Sequence, residues 1–140
     1  MKNILCTALG SFSTKTVIEG LEKKGYTVYG ADCYPKEWIP MAKRVKDFAQ
    51  IPLVREEEVY LDRILSLCKE WELSAIFPLI DLEVDFYEKY KNTFLKEGIQ
   101  LCIPKGDLSL IRDKYLLSKF LSDKLEEGFS VIPGEEYEDL

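Results

Sequence analysis

Short unbroken apolar runs alternate along the chain with stretches whose apolar positions recur every three or four residues. Residues 3–8 (Asn-Ile-Leu-Cys-Thr-Ala) form the first run, and Gly10-Ser11-Phe12-Ser13 follows as a turn. Ser13 or Thr14 stands where a side chain can cap a helix carrying Val17, Ile18 and Leu21, and Gly25 closes that helix. Tyr26 to Ala31 reads as a second strand ended by Asp32, and Pro35 and Pro40 punctuate the irregular stretch after it. Residues 47–54 hold a short third strand, interrupted by Pro52. Glu56 to Leu73 reads as an amphipathic helix with the stripe Leu61, Ile64, Leu65, Cys68 and Trp71. Ser74 to Leu79 is a fourth strand. One helix is expected from about Leu82 to Lys96, carrying Val84, Phe86 or Tyr87, Tyr90 and Phe94, and ended by Gly98. Ile99 to Ile103 is the fifth strand.

Strands that are continuously apolar, rather than alternating, are strands buried on both faces. Joined by helices, they predict an α/β fold: a Rossmann-like open, mainly parallel sheet of about five strands with helices on both faces. The helices at 14–24 and 57–72 are expected on opposite faces or offset along the sheet. After Pro104 the rhythm changes. A short helix is expected at 107–112, another from Asp113-Lys114 through Leu125, and a short strand at 129–132. Residues 126–140 hold six acids and no base. The division expected is 1–106 as one domain and 107–140 as a linker helix and the start of a second.

Composition narrows the chemistry. The chain has no histidine, which removes Ser-His-Asp and Cys-His catalysis and every His-ligated zinc site. The four cysteines, Cys6, Cys33, Cys68 and Cys102, form no CxxC pair. Cys6, Cys68 and Cys102 read as small buried hydrophobes. A net charge of −6 opposes binding to nucleic acid or to an anionic membrane. No apolar run approaches the ~18 residues of a membrane span. With no export signal at the N-terminus, reduced thiols and a cytoplasmic location are expected.

In open parallel sheets ligands bind beyond the carboxyl ends of the strands. The residues expected there are Gly10 and Ser11 after the first strand, Asp32 after the second, and Asp81 and Glu83 after the fourth. A polar cleft lined by Ser11, Asp32, Asp81 and Glu83 is the resulting expectation. The first loop has one glycine, so it is not the GxGxxG dinucleotide fingerprint. Asp32 can meet a ligand or cap local backbone. Asp81 and Glu83 can hold an ammonium group or a metal-bound phosphate, or serve as early-turn acids of the helix behind them. Lys114 is a cation at a helix start, where the dipole disfavours it, and this points to work on an anion or to a plain surface lysine. Tyr87, Tyr90 and Tyr115 read as core or rim aromatics. No catalytic residue and no metal ligand stands out.

Four segments resemble an ATP-grasp ligase of the carbamoyl-phosphate-synthase-like group. They are Asn-Ile-Leu-Cys-Thr-Ala-Leu-Gly at the start, Tyr-Gly-Ala-Asp-Cys-Tyr-Pro at 29–35, Phe-Pro-Leu-Ile-Asp-Leu-Glu at 77–83, and Arg-Asp-Lys-Tyr-Leu-Leu-Ser-Lys-Phe-Leu at 112–121. Their order and spacing match as well, over essentially the whole chain. The resemblance implies a pre-ATP-grasp domain followed by the first linker helix of the ATP-grasp fold. It maps a phosphate contact of ATP onto Lys114, and an acyl or amino substrate onto Gly10, Ser11, Asp32, Asp81 and Glu83. Phe12-Ser13 departs from the basic residue that relatives often carry in loop one.

The same resemblance places the lobes that hold adenine, and the acids that hold magnesium, beyond residue 140. ATP and Mg²⁺ are thus cofactors expected of a longer parent, and no tight binding to this chain is expected. The expected partners are a small-molecule carboxylate or amine, the missing ATP-grasp domain in cis or as a separate chain, and a second copy in a possible homodimer. The function implied is the substrate-side domain of an ATP-dependent carboxylate–amine or carbamoyl-phosphate-synthase-like ligase, truncated or split and inactive alone. A stand-alone Rossmann-type module for a nucleotide or small metabolite is the alternative, and a non-catalytic interaction domain is a third reading.

Overall fold

The five apolar runs between residues 3 and 103 become the strands of a single sheet. A computed structural model describes residues 2–105, 112–122 and 124. The elements are β1 (Asn3–Thr7), α1 (Thr14–Lys23), β2 (Thr27–Asp32), two 3-10 turns (Lys36–Trp38 and Pro40–Lys43), β3 (Phe48–Gln50), α2 (Glu57–Glu70), β4 (Leu73–Pro78), α3 (Asp81–Lys89), α4 (Lys91–Lys96), β5 (Gln100–Leu101) and α5 (Lys114–Ser122). The strand order is β3-β2-β1-β4-β5, and every pairing is parallel. The Rossmann-like α/β expectation holds. From β1 the chain runs outward to β2 and β3, then crosses back to β4 on the other side. The loops after β1 and β4 therefore diverge and open a crevice between them.

Both faces of the sheet are covered. Leu5 and Ile76 point to the side of α2, α3 and α4, where they meet Tyr60, Ile64, Leu67, Tyr87 and Phe94. Their neighbours Cys6 and Phe77 point the other way, toward Ile18 of α1 and Ile39 and Ala42 of the 3-10 turns. Helices α1 and α2 thus lie on opposite faces. Gly30 of β2 is needed for this packing, because a Cβ there would lie 2.5 Å from Leu9 Cδ2. Gly25 and Gly98 take φ 79° and 74° just after α1 and α4, the left-handed conformation that ends a helix at little cost for glycine.

Several expectations need correction. The single helix at 82–96 is two, α3 and α4, joined at Tyr90. Tyr90 is held by its hydroxyl, which donates to Glu57 Oε2 at 2.9 Å, and by Phe86, whose ring centroid lies 4.7 Å from its own. The break lets Phe94 turn into the core against Tyr87. The third strand is short and stops before Pro52, as expected, because Pro52 has no N–H to extend the ladder. Ser13 precedes α1 but makes no side-chain cap, its Oγ lying 3.2 Å from Ser11 Oγ instead. Cys6 and Cys68 are buried as expected, whereas Cys102 is half-buried.

The chain divides after Ile103 into two compact units. In the second, Asp113 Oδ1 accepts the Leu116 N–H at 2.9 Å and caps α5. All of the helix expected at 107–112 except Arg112, the strand at 129–132 and the acidic stretch 126–140 lie outside the described residues. No helix among the described residues is long and apolar enough to cross a membrane.

Candidate functional site

The crevice at the carboxyl ends of β1, β2 and β4 is a cleft of about 690 Å³. Loop one builds its floor. Ala8 takes φ 51°, a left-handed conformation that costs an L-residue ~1–2 kcal/mol, and the chain then turns sharply into Gly10. Gly10 N–H donates to Asp32 Oδ2 at 2.8 Å. A Cβ on Gly10 would sit 3.3 Å from that oxygen and 3.1 Å from Ile39 Cδ1, so the close approach suits glycine. The other Asp32 oxygen accepts the Tyr34 N–H at 3.0 Å. Asp32 is 4% exposed, and its carboxylate holds the ends of β1 and β2 together. Ser11 Oγ donates to the Leu79 carbonyl at 3.3 Å and ties loop one to the loop after β4.

Glu83 forms the second polar anchor. It lies in the first turn of α3 yet is only 4% exposed. Thr7 Oγ1 donates to its Oε2 at 2.6 Å, and the Tyr60 hydroxyl donates to its Oε1 at 2.9 Å. The Tyr87 hydroxyl lies 3.3 Å from that of Tyr60. Burial pushes the Glu83 carboxyl up to about 7. The hydrogen bonds from Thr7 and Tyr60 pull it down, and the nearby Asp32 adds to the rise. Burial also raises the Tyr60 and Tyr87 phenols well above their ordinary range, so both stay neutral.

The structure brings Gly10, Ser11, Asp32 and Glu83 to the same cleft. Asp81 opens α3 and is not among the residues lining the cleft. Lys114 is the exposed first residue of α5, in the second unit. The lining is largely apolar rather than polar: Tyr34, Trp38, Ile39, Leu53, Ile80 and Leu82 supply most of the wall. Tyr34 and Trp38 stack with centroids 6.0 Å apart, and Trp38 is 69% exposed at the rim. Sequence reasoning missed Thr7, Tyr60 and Trp38. Thr7 and Tyr60 carried a signal, since each is a hydroxyl in an otherwise apolar stripe and needs a buried partner. Trp38 sits between two prolines and has no periodicity to reveal it.

Residues 4–102 match the family model described as PylC-like, N-terminal domain. The chain belongs to this family. The PylC-like domain also shares its fold with parts of larger solved structures. It is similar to N5-carboxyaminoimidazole ribonucleotide synthetase from Thermotoga maritima, at 22% identity and TM-score 0.59 over 88% of this chain and 31% of that one. It is similar to the biotin carboxylase domain of a single-chain bacterial carboxylase, at 19% identity and TM-score 0.61 over 99% of this chain and 31% of that one. A third similar structure is the Campylobacter jejuni biotin carboxylase in a β,γ-ATP complex, at 19% identity and TM-score 0.57 over 87% and 28%. No curated protein sequence matches. This chain thus spans about a third of the length of each of these proteins and shares their fold, and the expectation of an N-terminal domain holds in the PylC-like match.

The state of Glu83 in this PylC-like domain makes stability depend on pH. In the unfolded chain its carboxyl ionises near the ordinary 4.5, whereas the folded chain keeps the proton to about 7. Between these values the folded state binds more protons, so the Glu83 contribution to stability falls as pH rises from ~4.5 through ~7. At ~1.4 kcal/mol per unit the loss amounts to a few kcal/mol. Glu83→Gln abolishes it. The urea midpoint of the variant is expected to gain on that of the wild type between about pH 5 and pH 8. An equal difference at both values would show that Glu83 ionises normally in the fold.

Proposed function

We propose that the chain is the substrate-side N-terminal domain of an ATP-dependent carboxylate–amine or carbamoyl-phosphate-synthase-like ligase, that its cleft takes the amine, and that it is inactive alone. The observation that carries this reading is the charge of the cleft. Among the described lining residues Asp32 and Glu83 carry the only carboxyl groups and there is no lysine or arginine, in an apolar wall beside the crevice between β1 and β4. Two carboxyls without a lysine or arginine favour an ammonium head, and the Tyr34–Trp38 wall favours an apolar body. Ser11 and Gly10 hold the two loops at a fixed spacing, so the ligand would meet a preformed site rather than order one.

The cleft does not fit a triphosphate, which would meet two carboxyls and no cation. Among the described residues no three cysteine, aspartate or glutamate side chains come together as a metal-ligand set, so these residues do not fit magnesium either. Both cofactors would be held by an ATP-grasp domain, in cis or as a separate chain, whose phosphoryl chemistry activates the carboxylate that the bound amine attacks. The part of this chain is to bind and orient the amine.

Chemical-shift mapping with 2-phenylethylamine and 3-phenylpropionate, one cationic and one anionic probe of similar shape, tests the reading. The amine is expected to shift the amides of Gly10, Cys33 and Ile51, and the carboxylate to leave them unmoved. Equal responses, or shifts confined to another surface, would remove the amine assignment.

A further inference from the structure

We propose that Glu83 is the specificity-determining residue of the cleft: a neutral carboxylic acid in the ligand-free chain, it ionises against the ammonium head of an arriving amine and releases its proton to solvent. The proposal rests on the cleft being an amine site, and deepens that reading by assigning the selection to one residue and one proton.

The surroundings of Glu83 carry the argument. Its carboxyl is gripped from two other elements, by Thr7 of β1 at 2.6 Å and Tyr60 of α2 at 2.9 Å. Among the described residues every group facing it is neutral or acidic. Tyr60 comes from α2, Tyr87 from its own α3, Asp32 from the end of β2 with Cys33 just after it, and β1 contributes only the Thr7 hydroxyl. A carboxylate out of water with no cation beside it is strongly disfavoured, and a second carboxylate nearby disfavours it further. Burial accordingly holds the proton on Glu83 up to about pH 7.

The neighbours of Glu83 also accommodate both states. Thr7 and Tyr60 present hydroxyls, which rotate and act as donor or acceptor, so they can serve the acid as well as the carboxylate. Asp32 differs. Its two oxygens are bound by the backbone N–H groups of Gly10 and Tyr34, which can only donate and cannot turn away. Asp32 is therefore committed to the backbone it holds, and Glu83 is the carboxyl left to switch.

The step balances simply. The Glu83 O–H bond breaks, its proton leaves to solvent, and the carboxylate so formed pairs with the ammonium group, one positive charge entering as one leaves. A free-base amine gives the same complex by taking the Glu83 proton itself. An alcohol of the same shape gains no such pairing, and a carboxylate is repelled.

The test is a titration of the 140-residue chain with 2-phenylethylamine and with the uncharged 2-phenylethanol, followed by amide shifts from about pH 8 to pH 5.5. Below about pH 7 the amine is expected to weaken by roughly tenfold per pH unit while the alcohol stays constant. Adding amine to weakly buffered protein at about pH 6 should release close to one proton per site. In Glu83→Gln the pH slope and the proton release should vanish, and the same spectra report whether that variant keeps its fold. The wild-type proton release stands without any variant. An amine that binds no better than the alcohol at any pH would remove both the amine reading and this proposal. A preference for the amine with no slope and no proton release would overturn this proposal alone. A slope that persists in folded Glu83→Gln would overturn it too, by placing the switching proton elsewhere.

Discussion

Mg-ATP titrated into the 140-residue chain is expected to show no binding tighter than about millimolar, and the chain is expected to hydrolyse none of it. Phosphoryl transfer depends on positioned cations and metal around the γ-phosphate. Here the resemblance maps one phosphate contact, Lys114, and that side chain is exposed at the start of α5. Asp113 already places a carboxylate at the N-terminus of the same helix. An exposed ion contact contributes at most ~1 kcal/mol, against the ~8 kcal/mol of micromolar affinity. The net charge of −6 and the two carboxyls of the cleft oppose the anionic Mg-ATP further, although physiological salt screens much of that repulsion. Isothermal titration measures the outcome. A low-micromolar dissociation constant that Lys114→Ala abolishes would show a complete nucleotide site in this chain.

The fold was legible because burial writes itself into composition. Ile4, Leu5 and Cys6 in succession read as a strand covered on both faces, and Leu5 and Cys6 do enter opposite cores. The break at Tyr90 was not legible, because Phe86, Tyr90 and Phe94 keep a helical spacing through it. At the break Tyr90 donates its hydroxyl to Glu57, 33 residues away, a contact that local spacing does not reveal. The site was half legible. Strand ends could be found from periodicity, which placed Gly10, Ser11, Asp32 and Glu83 at one cleft. Its apolar character could not, because Trp38, Ile39 and Leu53 come from irregular chain that periodicity does not describe. Asp81 and Glu83 look alike in the sequence. Two residues, a little over half a helical turn, separate their fates, since Glu83 faces Thr7 and Tyr60 whereas Asp81 lies outside the cleft lining.

Phe94→Ala is expected to cost ~3–5 kcal/mol, a large share of the ~5–15 kcal/mol that holds a domain together. Phe94 is fully buried, and its ring meets Tyr87 edge-on at 5.3 Å and 61°. Tyr87 in turn packs edge-on against Phe86 and Tyr60, so the vacated volume would be walled by rigid rings that cannot collapse into it. The short α4 has only six residues to hold it without that anchor. Urea denaturation should show a lower midpoint with an unchanged slope. A loss below ~1 kcal/mol would mean that α4 is dispensable to the core.

The two tryptophans occupy opposite extremes of this architecture. Trp71 is buried at the end of α2 and stacks on Tyr29 with ring centroids 4.8 Å apart, whereas Trp38 stands in the open at the cleft rim. The molecule therefore carries two optical reporters. Acrylamide should quench the emission of Trp38 and spare that of Trp71. The quenchable, red-shifted component then reads occupancy of the cleft, and the protected, blue-shifted component reads integrity of the core. A single sample can thus be followed for ligand capture and for unfolding at once, with no label added.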